Sequence, residues 1–329
     1  MARTPALKRK TAAAARSRLG RFVPLNEDMR KLYRTLDAHI RVCYIQRMTG
    51  LTLLKLGGSL ITDKDKPFTP RLDKLNALAD EIASSWTSDR PLILGHGSGS
   101  FGHAAAKRYG TRDGLTPLVP AGRSPLLRSK RGETEGGAYW KGFAEVWFQA
   151  SQLNRFVMEA LRGAGLPAVA LAPVSAVTAR GPRVARWDLT PLRAALEAGL
   201  VPVVYGDVIF DEARGGTILS TEDLFAHLAR ELRPGRILLA GLEAGVWEDF
   251  PARTRLVSRI SLQSYEAMRA EIGASSSVDV TGGMSAKVGL MFELIREIPG
   301  LTARIFSAEE AGNLSRALAG EAVGTELGA

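Results

Sequence analysis

The segment Gly95-His96-Gly97-Ser98-Gly99-Ser100-Phe101-Gly102-His103 follows the apolar run Pro91-Leu92-Ile93-Leu94 and precedes the helix-like Ala104-Ala105-Ala106-Lys107-Arg108. Alternating glycines between a strand and a helix turn backbone N–H groups outward with little side-chain bulk, which makes a seat for a phosphate. Two further glycine turns carry cations. Lys55 sits inside Leu51-Thr52-Leu53-Leu54-Lys55-Leu56, directly before Gly57-Gly58-Ser59. A lysine inside such a strand usually lies at an edge or faces solvent, but directly before a glycine turn its ammonium can reach a phosphate cradled there, and that reading is favoured. Thr281-Gly282-Gly283-Met284-Ser285-Ala286-Lys287 enters another helix. A lysine one turn into a helix opposes the dipole and implies an anionic ligand. Lys64 lies in the charged loop Thr62-Asp63-Lys64-Asp65-Lys66-Pro67, which by itself reads as solvated surface.

Two acids complete the set. Asp207 follows Gly206 at the end of Leu200-Val201-Pro202-Val203-Val204-Tyr205, the edge where α/β sheets bind ligands. Asp223, in Ser220-Thr221-Glu222-Asp223, opens a helix and is equally suited to complementing its dipole. Phosphoryl transfer needs positioning, cations on the equatorial oxygens and backbone donors, with little covalent chemistry. The inventory suits a phosphotransferase.

Other phosphate motifs fit less well. Gly97 to Gly102 satisfies G-x-G-x-x-G, but the dinucleotide fingerprint expects an acid about 20 residues on, and Leu115 to Lys130 contains none. No G-x-x-x-x-G-K-[ST] occurs, so the chain has no P-loop.

The elements that must position these residues alternate strand, glycine turn and helix from Leu51 onward, an α/β rhythm with mostly parallel strands. Helical spacing of Leu72, Leu75, Leu78, Ala79 and Ile82 predicts a helix over Pro70 to Trp86. Tyr109 to Gly137 reads as a long loop of the kind that often forms a lid. Ala138 to Arg162 reads as one long helix whose Trp140, Phe143, Trp147, Leu153 and Phe156 suit core or dimer packing, with the first aromatics able to wall an apolar substrate pocket.

The 329-residue chain has a formal charge of +10, but residues 1 to 47 hold 12 basic residues against 3 acidic ones, and the remainder holds 32 against 31. The basicity therefore concerns that segment and is no argument for nucleic acid. The segment reads as a targeting peptide, a disordered arm or sequence ahead of the true start. The last is favoured because Met48 directly precedes the first core strand, and it predicts that residues 1–47 are dispensable. Cys43 is the single cysteine, so no disulfide framework or cysteine metal site is expected. No run approaches a membrane span, and a cytoplasmic setting fits.

Taken together, Lys55-Leu-Gly-Gly-Ser59, Thr62-Asp63-Lys64, His96-Gly-Ser-Gly-Ser-Phe-Gly-His103, Tyr205-Gly206-Asp207 and Asp279-Val-Thr-Gly-Gly283 resemble the amino acid kinase superfamily. The Ser-Phe-Gly-His ending resembles its isopentenyl phosphate kinase branch. The resemblance implies an open αβα sandwich with a largely parallel central sheet over 48–329. Its N-terminal half would hold the phosphate acceptor and its C-terminal half ATP.

The implied reaction is Mg²⁺-dependent transfer of the γ-phosphoryl group of ATP to isopentenyl phosphate. Lys55 with Gly57, Gly58 and Ser59 would hold the ATP phosphates, and Lys64 would stabilise the transition state. Ser98, His103 and Gly206 would receive the acceptor, with Gly99 on the ATP side. Asp207 and Asp223 would orient lysines or line the nucleotide site, and Gly283 with Lys287 would grip nucleotide phosphates. No protein-built metal site is expected, and a homodimer is implied. Dimethylallyl phosphate is a further possible acceptor.

Ser98 and the Thr221-Glu222 pair depart from the more usual residues, and the loop 119–136 is longer than the resemblance requires. A fosfomycin-kinase-like enzyme, a carboxylate kinase and a non-catalytic nucleotide-binding module are the alternatives.

Overall fold

The computed structural model describes residues 50–115, 135–272 and 282–329. The basic segment 1–47, the loop stretch 119–134 and residues 279–281 of the third glycine turn lie outside them.

Five-residue apolar runs build the centre. β1 (Thr52–Leu56), β2 (Leu92–His96), β3 (Ala168–Ala170), β4 (Val177–Arg180), β5 (Arg183–Trp187), β6 (Val201–Tyr205) and β7 (Asp207–Asp211) come first. They are followed by β8 (Gly215–Leu219), β9 (Arg236–Gly241), β10 (Val246–Trp247), β11 (Leu256–Val257), β12 (Arg259–Ser261), β13 (Thr302–Ser307) and β14 (Thr325–Gly328). Eight of them form one sheet in the order β12-β14-β13-β9-β1-β2-β6-β3. Every pairing in it is parallel except β13 with β14. β5-β4-β7-β8 form a second sheet.

Strand alternation decides what each face of the main sheet meets. On one face Leu54, Leu56, Leu94, Val203, Leu238 and Phe306 pack against Leu75, Leu78, Ile82, Leu153, Val157 and Leu314. These come from the helices Leu72–Ser85, Glu135–Gly163 and Asn313–Ala319. On the other face, Lys55 stands in register with Gly95 and Leu239. A side chain at Gly95 would strike Thr221 Cγ2 at 2.5 Å and the Phe225 ring at 2.7 Å. The missing side chain lets the start of helix Thr221–Leu232 settle directly on the sheet beside Lys55.

The α/β sandwich and its largely parallel sheet agree with the sequence reading. The long helix begins at Glu135, three residues before the sequence-based start. His103–Tyr109 is helical, as the run Ala104 to Arg108 suggests. Leu72, placed by spacing on the apolar face, is 50% exposed because it is the first helical residue, a turn ahead of the buried series from Leu75. The β4–β5 hairpin has no counterpart in the sequence reading.

Candidate active site

Parallel strands of matched register end together, and here three of them end in glycine. The Gly57 amide donates to Ala240 O at 2.8 Å, Gly97 to Leu56 O at 3.0 Å and Gly206 to His96 O at 3.3 Å. Each glycine thus extends the ladder by one residue before the chain leaves the sheet. The first two turns then meet backbone to backbone. A Cβ on Gly58 would lie 2.2 Å from Gly99 N, and one on Gly97 would lie 2.9 Å from Gly58 N. Gly99 also needs its left-handed φ of 54°. No other residue type fits this crossing, which brings the two glycine turns into direct contact.

Thr62 fastens the crossing. Its Oγ1 donates to Gly58 O at 2.8 Å and accepts from the Ser100 amide at 2.9 Å. Ser98 lies in the turn, its carbonyl accepting from the Phe101 amide at 2.9 Å. Gly102, left-handed at φ 84°, caps the helix that starts at His103, and its amide donates to Gln149 Oε1 at 2.7 Å. The exposed His103 ring directs Nδ1 to Gly99 O. A carbonyl only accepts, so Nδ1 carries the proton and Nε2 is the nitrogen available to a ligand. His96 is different: it is buried, stacked on Tyr205 with centroids 5.2 Å apart, and hydrogen-bonded to Gly97 O and Asn154, each at 3.2 Å. Burial pushes its pKa down to about 4, so it is neutral at pH 7.

Lys55 is neither at an edge nor in solvent. It lies on a central strand, 9% exposed, and its Nζ pairs with Glu222. Burial lowers the Lys55 pKa against the attraction of Glu222, and Lys287 lowers it further. Burial opposes the charge on Glu222, but Lys55 and Lys287 outweigh it and hold that pKa below the usual carboxylate range. Lys55, Glu222 and Lys287 therefore form one electrostatic group. Gly283 lies at the start of helix Gly282–Glu297, and among the described residues nothing would meet a Cβ there within 4 Å.

Glu222 was not among the sequence-based candidates for a site role. The signal was present in Ser220-Thr221-Glu222-Asp223, where Ser and Asp at N-cap and N3 make a capping box and leave Glu222 unengaged. Asp223 Oδ2 accepts from Ser220 N at 2.8 Å and Ser220 Oγ at 2.7 Å, and the Asp223 amide returns a bond to Ser220 Oγ. The helix cap thus employs Asp223, and its neighbour meets the lysines. Thr221 Oγ1 donates to His96 O at 2.6 Å and accepts from Gly206 N at 3.0 Å, so the Gly206 amide is engaged within the protein.

Asp207 is 1% exposed. Its Oδ1 accepts from the Val208 amide at 2.8 Å, while Oδ2 has no hydrogen-bond partner among the described residues. Burial raises its pKa to about 7, opposed by the amides of Val208 and Val174. It faces the turn at Val174, whereas the charges acting on Lys55 are Glu222, Lys287 and Asp223. Ser59 lies in the short helix Gly58–Ile61 after the first turn. Lys64 is exposed on its loop, with no ion pair among the described residues. No cluster of three or more His, Cys, Asp or Glu side chains suited to a metal occurs among the described residues.

Beside the nest, Ala105, Tyr139, Phe143, Val146 and Val208 form a separate apolar cluster, joined by Tyr109, Trp140 and Ile218. Trp140 and Phe143 centroids are 5.3 Å apart, and Phe143 lies 5.1 Å from Phe210. Ala105 and Tyr109 belong to the helix that His103 begins. The histidine turn and the apolar cluster are thus continuous through one helix.

Glycine turns at the carboxyl edge of a parallel sheet, with a buried lysine group beside them, define a phosphotransferase of the α/β class. The sequence model of the amino acid kinase family matches residues 50–307, and the chain belongs to that family. It is 31% identical over 283 residues to the isopentenyl phosphate kinase of Methanocaldococcus jannaschii, covering 84% of this chain and 98% of that protein. The isopentenyl phosphate kinase of Methanothermobacter thermautotrophicus is 34% identical over 286 residues, with the same coverage. A solved structure of an isopentenyl phosphate kinase superposes with a TM-score of 0.68 at 30% identity, covering 84% of this chain and 99% of that one.

Proposed function

We propose that this chain transfers the γ-phosphoryl group of ATP to isopentenyl phosphate, giving isopentenyl diphosphate and ADP. The observation that carries the reading is the continuity of the His103 anion seat with the aromatic wall at Trp140, Phe143 and Phe210. A phosphate monoester with a short branched hydrocarbon tail has those two ends. The names of the similar proteins support the same substrate.

An acceptor phosphate oxygen attacks the γ-phosphorus in line, and the bond to the β–γ bridging oxygen breaks as ADP leaves. That oxygen is already charged at neutral pH, so the site needs no general base; it needs donors that hold the oxygen in line. Beside a phosphate dianion the His103 ring is favoured as imidazolium, so Nε2 donates as Nδ1 does, and it serves with the Ser98 turn as those donors in the N-terminal half. Gly206 bounds the same pocket as a residue without a side chain.

Lys55 and the Gly57 to Ser59 turn hold ATP phosphates, with Gly99 on that side, while Gly283 and Lys287 grip the nucleotide from the C-terminal half. Lys64 neutralises charge on the transferring group. Asp223 keeps the helix cap that places Glu222, and Asp207 shapes the floor of the site. Glu222 and Asp223 are committed to the lysines and to the cap, so the described residues offer no cage for a divalent ion. Mg²⁺ belongs to this reading as the companion of ATP, held mainly by phosphate oxygens.

A cytoplasmic homodimer completes the proposal. Trp147 and Phe148, 42% and 50% exposed on the long helix, support a covered face, and no helix among the described residues is long and apolar enough to cross a membrane.

The test is a coupled ADP-release assay with Mg-ATP and, side by side, isopentenyl phosphate, dimethylallyl phosphate, geranyl phosphate and fosfomycin. Preference for the C5 monophosphates is expected. Turnover of fosfomycin alone would move the function to a phosphonate acceptor.

A further inference from the structure

We propose that Phe68 is a positioning residue for Lys64, its ring fixing the lysine loop to the histidine turn. The proposal rests on the reading of Lys64 as the cation that meets the transferring phosphoryl group, and it deepens that reading.

The loop is closed at its base by an antiparallel bridge between Thr62 and Pro70 and by Asp63 N donating to Thr69 O at 3.0 Å. Inside it, the Asp63 carboxylate accepts from the Asp65 amide at 3.0 Å and pairs with Lys66 at 3.3 Å. Lys66 is thereby paired, and Lys64 is left as the loop's cation without an ion pair among the described residues. A long side chain on a solvent-exposed loop delivers charge to one point only if its base is held.

Phe68 supplies the hold at a visible cost. Its φ is 55°, in the left-handed region where a bulky residue is an outlier, and the ring is 47% exposed. The position after Pro67 is one where turns ordinarily select Gly or Asn. The other two non-glycine residues with positive φ among the described residues have ordinary explanations. Arg233 is a helix C-cap, and Arg253 turns between β10 and β11.

What Phe68 gains is an edge-on contact with Phe101, centroids 5.9 Å apart at 80°. Phe101 is 1% exposed, braced by Phe156 of the long helix at 6.3 Å, and lies two residues before His103. Backbone strain of this kind persists where the surroundings over-determine it, and it clusters at functional sites. The contact links the two segments that approach the reacting phosphates, the Lys64 loop and the His103 turn. An error of about 1 Å in such a placement can cost about 100-fold in rate.

The test compares wild type with Phe68→Gly, Phe68→Asn, Phe68→Tyr and Lys64→Ala. It records steady-state kinetics with Mg-ATP and isopentenyl phosphate, melting temperature, and amide hydrogen exchange at Lys64, Asp65 and Lys66. Gly and Asn relieve the backbone, so both variants should melt at or above the wild-type temperature. Their kcat should nonetheless fall at least tenfold, with both KM values within twofold and faster exchange at the three amides. Phe68→Tyr keeps the ring and should keep wild-type kcat. Wild-type kcat in Phe68→Gly, beside lost turnover in Lys64→Ala, overturns the proposal and leaves the role of Lys64 standing. Unchanged exchange overturns it whether or not the wild-type protein phosphorylates isopentenyl phosphate, so a failure of the functional reading shows separately in the wild-type assay.

Discussion

The Ser100 amide donates to Oγ1 of Thr62 at 2.9 Å, across 38 residues of sequence, while the same oxygen donates to Gly58 O at 2.8 Å. One hydroxyl holds two glycine turns at a separation that admits no side chain. Thr62→Val keeps the shape and removes both bonds, leaving the Ser100 amide unsatisfied. A loss of about 1–3 kcal/mol is expected, read from urea midpoints, with KM raised for ATP and for the acceptor. Thr62→Ser should behave as wild type.

Glu222→Gln leaves a buried ammonium without its counter-charge. Removing one partner of a buried pair costs about 3–5 kcal/mol, and the Lys55 pKa, already lowered by burial, drops further. In the proposed reaction Lys55 acts on phosphate only when charged. The alkaline limb of the kcat profile should therefore move to lower pH in the variant, and an unmoved limb would show that Lys55 does not titrate in the rate.

His103→Ala removes the ring that presents Nε2 at the anion seat. KM for isopentenyl phosphate should rise and kcat should fall together, because the lost donor both binds and aligns the attacking oxygen. A ring that only packs would leave both constants unchanged.

Phe210→Ala removes a ring that is 40% exposed and lies 5.1 Å from Phe143. Trimming an apolar wall is worth on the order of tenfold in specificity. KM for isopentenyl phosphate should rise by about that factor and KM for ATP should stay unchanged. A rise in KM for ATP alone would place the nucleotide on this side of the site.

Two buried groups give opposite pH dependences. His96 titrates at about 4 in the folded protein and near 6.5 unfolded, so it contributes stability above pH 6.5 that is lost as pH falls toward 4. Asp207 titrates at about 7 folded against 3.8 unfolded, so its contribution is complete below 3.8 and is lost as pH rises through 7. Melting curves from pH 4 to 8 should show Asp207→Asn gaining on wild type as pH rises. His96→Asn should gain on wild type as pH falls below 6.5.

The sequence by itself determined the fold class and the phosphate chemistry, because both rest on local patterns. Five-residue apolar runs make buried parallel strands, and a glycine turn between strand and helix offers amides to an anion whatever surrounds it. The positions of Lys55, Lys287 and the His103 turn followed from such patterns. Tertiary structure alone decided which groups share a charge. Ser220-Thr221-Glu222-Asp223 names two acids, and only the capping box and the close approach over Gly95 commit Asp223 to the helix and Glu222 to Lys55. Asp207 looks like a site acid in sequence, yet burial and its turn toward Val174 set its charge. The lysine loop reads as plain solvated surface until Phe68 is seen against Phe101. Burial and long-range contact set these pKa values and alignments, and neither is a property of any short stretch of chain.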